Sequence, residues 1–220
     1  MSANITDLTI MRMNTGQFDG EKEMNGNVFK ALMSMEGSGS PAYNGRQEED
    51  PQVVYTFANW TSIDAHLTGF HNPAVLKEVG PLVPYYDRET FMPMTYHVDF
   101  TLRQASTGAG GKAASLGDVL SRPVARVRIA KVDKERKEAF EKVLVDAAAD
   151  GKLIAWGDAI AHEKYRTPAE DVVILLEGGE SSEALRGSGV DLSEYSKSLH
   201  DAHLPKPEQY HRINGTSASL

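Results

Sequence analysis

The stretch MTYHVDFTL, residues 94–102, sets an imidazole and a carboxylate two positions apart. Alternation along a strand puts Thr95, His97, Asp99 and Thr101 on one face, and Met94, Tyr96, Val98 and Phe100 on the other. The Cα atoms of His97 and Asp99 then lie ~7 Å apart. A carboxylate at that distance can orient or charge an imidazole for general acid–base work near neutral pH, so His97 and Asp99 are the expected catalytic pair. The bland reading is a histidine satisfied by a neighbouring strand or by water. In PVARVRIAKV, Arg126 and Arg128 share a face and suit a substrate carboxylate, an enolate or a phenolate. Pairing with acidic side chains at a sheet edge explains them equally. In KLIAWGDAIAH, Trp156 and Asp158 share a face with Ile154, Ile160 and His162. A tryptophan wall beside an acid fits a flat aromatic ligand, unless Trp156 is simply core. Tyr55 and Asn59 share a face of QVVYTFAN and are candidate substrate donors, with Arg12 and Asn14 weaker ones.

The sequence argues against metals and organic cofactors. His66 and His71 are five apart and do not share a helical face, which is poor metal-ligand spacing. No H-x-H or H-E-x-x-H occurs, and the absence of cysteine removes disulfides, thiolate catalysis and cysteine-ligated metal. GAGGK has no strand before it and no Ser or Thr after its lysine, so it is no P-loop, and no G-x-G-x-x-G is present. A net charge of −8 argues against a nucleic-acid partner and against a polybasic membrane-surface protein. With no apolar run of spanning length and no signal-like N-terminus, a soluble cytoplasmic protein acting on a small molecule is expected. A homodimer is compatible with this.

Those side chains must be held by a frame, and the chain carries one twice. Shifted by 119 positions, Val53-Val54 falls on Val172-Val173, Ser62 on Ser181, Asp64 on Glu183, and Leu8 and Ile10 on Val127 and Ile129. Each copy reads β-α-β-β-α-β. The second has a helix from DKERKEAFEKVLVDAAADG, with Asp133 as its expected N-cap and Gly151 as its stop, and SEYSKSLHDAH is read as helical. The expected units are 1–104 and 122–220, joined by a flexible Gly/Ala/Ser-rich linker over 105–121. The predicted class is α+β: two tandem ferredoxin-like units, each leaving one sheet face bare, packed sheet to sheet as an α/β barrel. The barrel interior is the expected pocket, lined by Thr95, His97, Asp99 and Thr101.

Trp60-x-Ser62-x-Asp64-x-His66, with Pro73 thirteen positions after the tryptophan, resembles the strand-to-helix junction of antibiotic-biosynthesis-monooxygenase domains. The segment from Tyr43 to Pro51 and the closing Tyr96-His97-Val98 are similar to that group as well. The resemblance covers residues 5–102 directly and 123–214 through the repeat. It implies a fused member of the dimeric α/β-barrel superfamily, which includes cofactor-free monooxygenases, cyclases, haem-degrading enzymes and proteins of no known chemistry. It implies a small-molecule tailoring enzyme, a monooxygenase or a cyclase/dehydratase, with a non-catalytic binding barrel or a haem-binding barrel as alternatives. Aligned on Trp60, the haem-ligating position falls on Val79 and the cyclase histidine near Val75, so neither activity carries over there. His162 and His203 are the remaining candidates for a haem iron. Gly179 and Leu185 stand where Trp60 and His66 recur in the second copy, which points to one asymmetric site.

Overall fold

The computed structural model describes residues 5–87, 89–100, 114–162 and 169–210. Strand β1 (Ile5–Arg12) is flanked by antiparallel β3 (Val53–Trp60) and β4 (Met94–Val98), and β2 (Ala42–Arg46) pairs with β3. The order of the first half is therefore β4-β1-β3-β2. Strands β5 (Val124–Val132), β6 (Ile154–Ile160), β7 (Val172–Gly179) and β8 (Ser196–Pro205) repeat it as β8-β5-β7-β6. The repeat extends to the register. Ile5 faces Trp60 and Arg12 faces Val53; 119 positions on, Val124 faces Gly179 and Lys131 faces Val172.

One nine-stranded sheet runs through both halves. At one seam β4 pairs with β6, His97 opposite Ile160. At the other, β9 (Glu208–Tyr210) pairs with β2. Because β9 follows β8 after a turn at Lys206, the chain itself joins the two ends of the sheet. Glu48 N–H donates to the His203 carbonyl at 2.8 Å and fastens the same seam. The result is the α+β barrel of two tandem units.

Helices α1 (Glu21–Ser34), α2 (Ile63–Phe70) and α3 (Pro73–Val79) cover the outside of the first half, and α5 (Lys137–Ala149) and α6 (Ser182–Ser188) that of the second. Ser62 and Ser181 cap α2 and α6 alike, each accepting the N–H three residues on at 3.1 Å. Phe29 and Met33 of α1 pack on Ala58 and Trp60; Phe140 and Leu144 of α5 pack on Ile154 and Trp156.

The interior departs from expectation. Leu8, Tyr55, Phe57, Val98, Val127, Ile129, Ile174 and Leu204 fill it as one apolar cluster drawn from both halves. Each such side chain stabilises the closed barrel by about 1.5–3 kcal/mol, so burial from both sheets favours a packed centre over a chamber. The face of β4 is accordingly the reverse of the one predicted. Tyr96 and Val98 enter the interior, and His97 turns outward beneath α2. Thr101 lies outside the described residues.

Three local readings also change. The end of the predicted linker is a helix, α4 (Leu116–Leu120), whose Leu116, Val119 and Leu120 join the interior cluster; 105–113 lies outside the described residues. Asp133 makes no side-chain cap, because a 3-10 turn at Lys134–Arg136 precedes α5, whereas Gly151 does end that helix with φ +86°. SEYSKSLHDAH is mostly strand: pairing along β5 overrides its local helical character.

Candidate active site

Three titratable side chains meet under α2. Asp7 of β1 lies directly opposite His97 of β4, and both point to the helix-covered side. His66, on the second turn of α2, reaches down between them. His66 Nδ1 and His97 Nε2 are 2.8 Å apart, and His66 Nε2 is 3.5 Å from Asp7 Oδ2. Thr9 Oγ1 donates to Asp7 Oδ1 at 3.1 Å and shares a second hydrogen bond, also 3.1 Å, with Thr95. All three titratable groups are buried, with exposures of 6% for Asp7, 5% for His66 and 1% for His97.

Burial decides their charges. It pushes the Asp7 carboxyl up to about 7, against the opposing pull of His97 and the Thr9 hydrogen bond. It pushes His66 and His97 down to about 4. Near neutral pH both imidazoles are therefore neutral, and Asp7 is poised between its two forms.

Aromatic rings frame the cluster. Trp60 stands 5.3 Å from His66 centroid to centroid, and Phe70 packs edge-on to it at 6.0 Å. Phe70 is 38% exposed and packs its ring against the buried His66. Gly69 permits this packing: a Cβ there would lie 2.6 Å from the Trp60 ring. Gly69→Ala is expected to lower stability by about 1–3 kcal/mol, read as a fall in the urea midpoint, because neither α2 nor the buried indole can yield cheaply.

The second half holds a different arrangement at the matching place. Arg126 stands for Asp7, Leu185 for His66, and His203, opposite Arg126, for His97. Leu185 packs where a side chain on Gly179 would otherwise sit. Arg126 forks onto Asp201 at 2.8 and 2.6 Å, and Arg126 and Arg128 both approach the buried Glu177 at 3.6 Å. These two arginines face the helices rather than the interior, and their partners are the protein's own carboxylates.

The other predicted residues scatter. Tyr55 is interior core, and Asn59 is engaged with Thr6 and the Pro41 carbonyl. Trp156 lies in the α5 core, and Asp158 pairs with Lys137 at 3.0 Å near the surface. Asp99 is buried on the same side as His97, yet the carboxylate whose charge acts on His97 is Asp7. Asp7 and His66 are the residues that sequence reasoning missed. The available signal was an aspartate in mid-strand, a residue type depleted from strands.

Among the described residues, metal-binding donors converge at Asp7, His66 and His97, and again at Glu48, Glu49 and His203. Val79, the position to which the haem ligand of the resemblance falls, packs as an aliphatic side chain against the α1 core. His203 Nδ1 is held by Glu49 at 2.5 Å.

No protein-family model matches the sequence, and no curated protein matches it. Solved structures do resemble it. A protein from Fusobacterium nucleatum, provisionally named a monooxygenase, superposes with a TM-score of 0.61 at 13% identity, covering 96% of this chain and 97% of its own. An anthrone oxidase-like protein gives 0.62 at 12%, covering 99% and 97%. A protein provisionally named a chlorite dismutase gives 0.54 at 11%, covering 93% and 95%. The chain shares the fold of these proteins over 93–99% of its length, and the resemblance read from the sequence holds at the level of the fold, in its fused form. No helix among the described residues is long and apolar enough to cross a membrane.

Proposed function

We propose that the chain is a cofactor-independent enzyme that takes a proton from an aromatic or polyketide-like phenol or enol and lets the resulting anion react with dioxygen. One observation carries this reading: Asp7, His66 and His97 stand in contact, buried, where the fold itself accepts leucine, as Leu185 does in the other half. Desolvating three titratable groups costs stability, and such groups concentrate where chemistry needs them.

The geometry supports a proton relay. A relay requires the tautomers in which His66 carries its proton on Nε2, 3.5 Å from Asp7 Oδ2, and His66 Nδ1 accepts from His97 Nε2–H at 2.8 Å. A substrate proton taken at His97 Nδ1 is matched by transfer from His97 Nε2 to His66 Nδ1, and from His66 Nε2 to Asp7. An isolated imidazole pushed down to about 4 is a poor base at neutral pH; a carboxylate pushed up to about 7 is a fitting final holder. Trp60 and Phe70 beside His66 favour a flat substrate.

Two neighbours that match nearly the whole chain carry oxygenase or oxidase names, which supports dioxygen as the co-reactant. The balance closes without an external reductant for a ring methylene: carbon goes from CH2 to C=O, one oxygen atom enters the carbonyl, and the other leaves as water with the two hydrogens. Cyclisation or dehydration would share the deprotonation step.

The test is oxygen uptake and quinone formation with an anthrone-type compound in air-saturated buffer, corrected for the enzyme-free rate. Turnover is expected to fall about 10²–10³-fold in His97→Ala with the fold retained. Undiminished turnover in that variant would remove His97 as the base. Deuterium exchange at the substrate carbon without oxygen uptake would favour cyclase-type chemistry.

A further inference from the structure

We infer that Asp7, His66 and His97 also form a binding site for a divalent transition-metal ion of the zinc type. The three donors come from separate elements, β1, α2 and β4, so no sequence spacing betrays them, and their ligand atoms all lie within 4.8 Å of one another. Two imidazoles and one carboxylate are a donor set that zinc, cobalt and ferrous ions accept. His66 Nδ1 and His97 Nε2 stand 2.8 Å apart. With bonds of about 2.1 Å, neighbouring ligand atoms on one ion sit about 3.0–3.4 Å apart, and these three span up to 4.8 Å, so side-chain rotation and a movement of about 1 Å bring them onto one ion.

The surroundings favour the same conclusion. Thr9 orients the Asp7 carboxylate through Oδ1, the outer support that ligating carboxylates commonly have. Trp60 and Phe70 flank His66 with apolar surface, which strengthens any charge interaction within. The alternative cluster is less apt: Glu48 and Glu49 are exposed, and the Arg186 guanidinium already binds both, so an ion would displace a cation.

An ion at this place would occupy nitrogen lone pairs on which proton transfer depends, so the metal-bound chain is inert as a relay; in that consequence alone the inference rests on the reading above. The experiment is titration of chelator-treated, dialysed protein with Co²⁺, followed by its visible absorption and by calorimetry. One saturable equivalent is expected in the parent protein. Affinity should fall at least tenfold in Asp7→Asn and His97→Gln and stay unchanged in His203→Gln. Circular dichroism identifies a misfolded variant, and Asp7→Asn, close in shape to a protonated aspartate, keeps the test sound if His97→Gln fails to fold. Absence of saturable binding, binding undiminished in Asp7→Asn, or loss confined to His203→Gln would overturn the site. Turnover measured alongside separates the two readings: inhibition in step with occupancy upholds the relay, whereas turnover that requires the ion would sink the relay and leave the site standing.

Discussion

Asp7→Asn should give a protein more stable than its parent near pH 8 and almost devoid of activity. The folded chain holds a proton on Asp7 up to about pH 7, whereas an unfolded chain sheds it near the ordinary aspartate value of 3.8. Over that window the folded state binds more protons than the unfolded one, so this residue makes stability fall as pH rises. Asparagine cannot ionise and escapes the cost. The gain should reach about 2–4 kcal/mol near pH 8 and vanish near pH 3, where the aspartate is protonated in both states. Thermal unfolding of the two proteins across pH measures it. The same change removes the final holder of the proton, so turnover should fall about 10²–10⁴-fold. A residue kept at such a cost to stability is one that function retains.

His66→Gln should cut the line in its middle and reduce turnover by about 10²–10³-fold, because His97 alone, held near 4, cannot keep a proton at neutral pH. Its signature in stability is distinct. His66 and His97 are pushed down from 6.5 to about 4, so between those values the unfolded chain takes up two protons that the folded chain refuses. Asp7 offsets one of them, since over the same range its proton is held only in the folded chain. These three groups together should therefore add a gain in stability of about 1.4 kcal/mol per pH unit in this window, beside the contribution of other groups such as His200, which burial also pushes down. In His66→Gln one histidine is gone and the slope should be lower than the parent's by about that amount. In Asp7→Asn the offset is gone and the slope should be steeper than the parent's by about the same amount. Urea titrations at three pH values distinguish the three proteins.

The fold was readable because its signals are local and occur twice. The 119-residue shift that aligns Val53-Val54 with Val172-Val173 is the shift that reproduces the strand register, and Ser62 and Ser181 cap helices as their positions suggest. The site was less readable, for two physical reasons. Alternation in β4 says that His97 and Asp99 share a face but not where that face points. Both sides of a barrel sheet are covered, and the larger apolar set went to the interior, where two sheets bury it. The second reason is range. In the chain His66 stands near His71, while its partners are 31 and 59 positions away and reach it only through strand pairing and helix packing. Segment 196–205 shows the same limit. Its local helical character yields to the ladder with β5, which the segment meets only in the folded chain.

The most direct measurement is carbon-13 NMR of the protein labelled at aspartate carboxyl carbons, with Asp7 assigned through Asp7→Asn and titrated from pH 3 to pH 9. A relay that ends on a buried carboxylate predicts that the Asp7 signal moves with a midpoint close to 7 and that His66→Gln displaces this midpoint. An Asp7 carboxyl that ionises near pH 4, indifferent to His66, would contradict it.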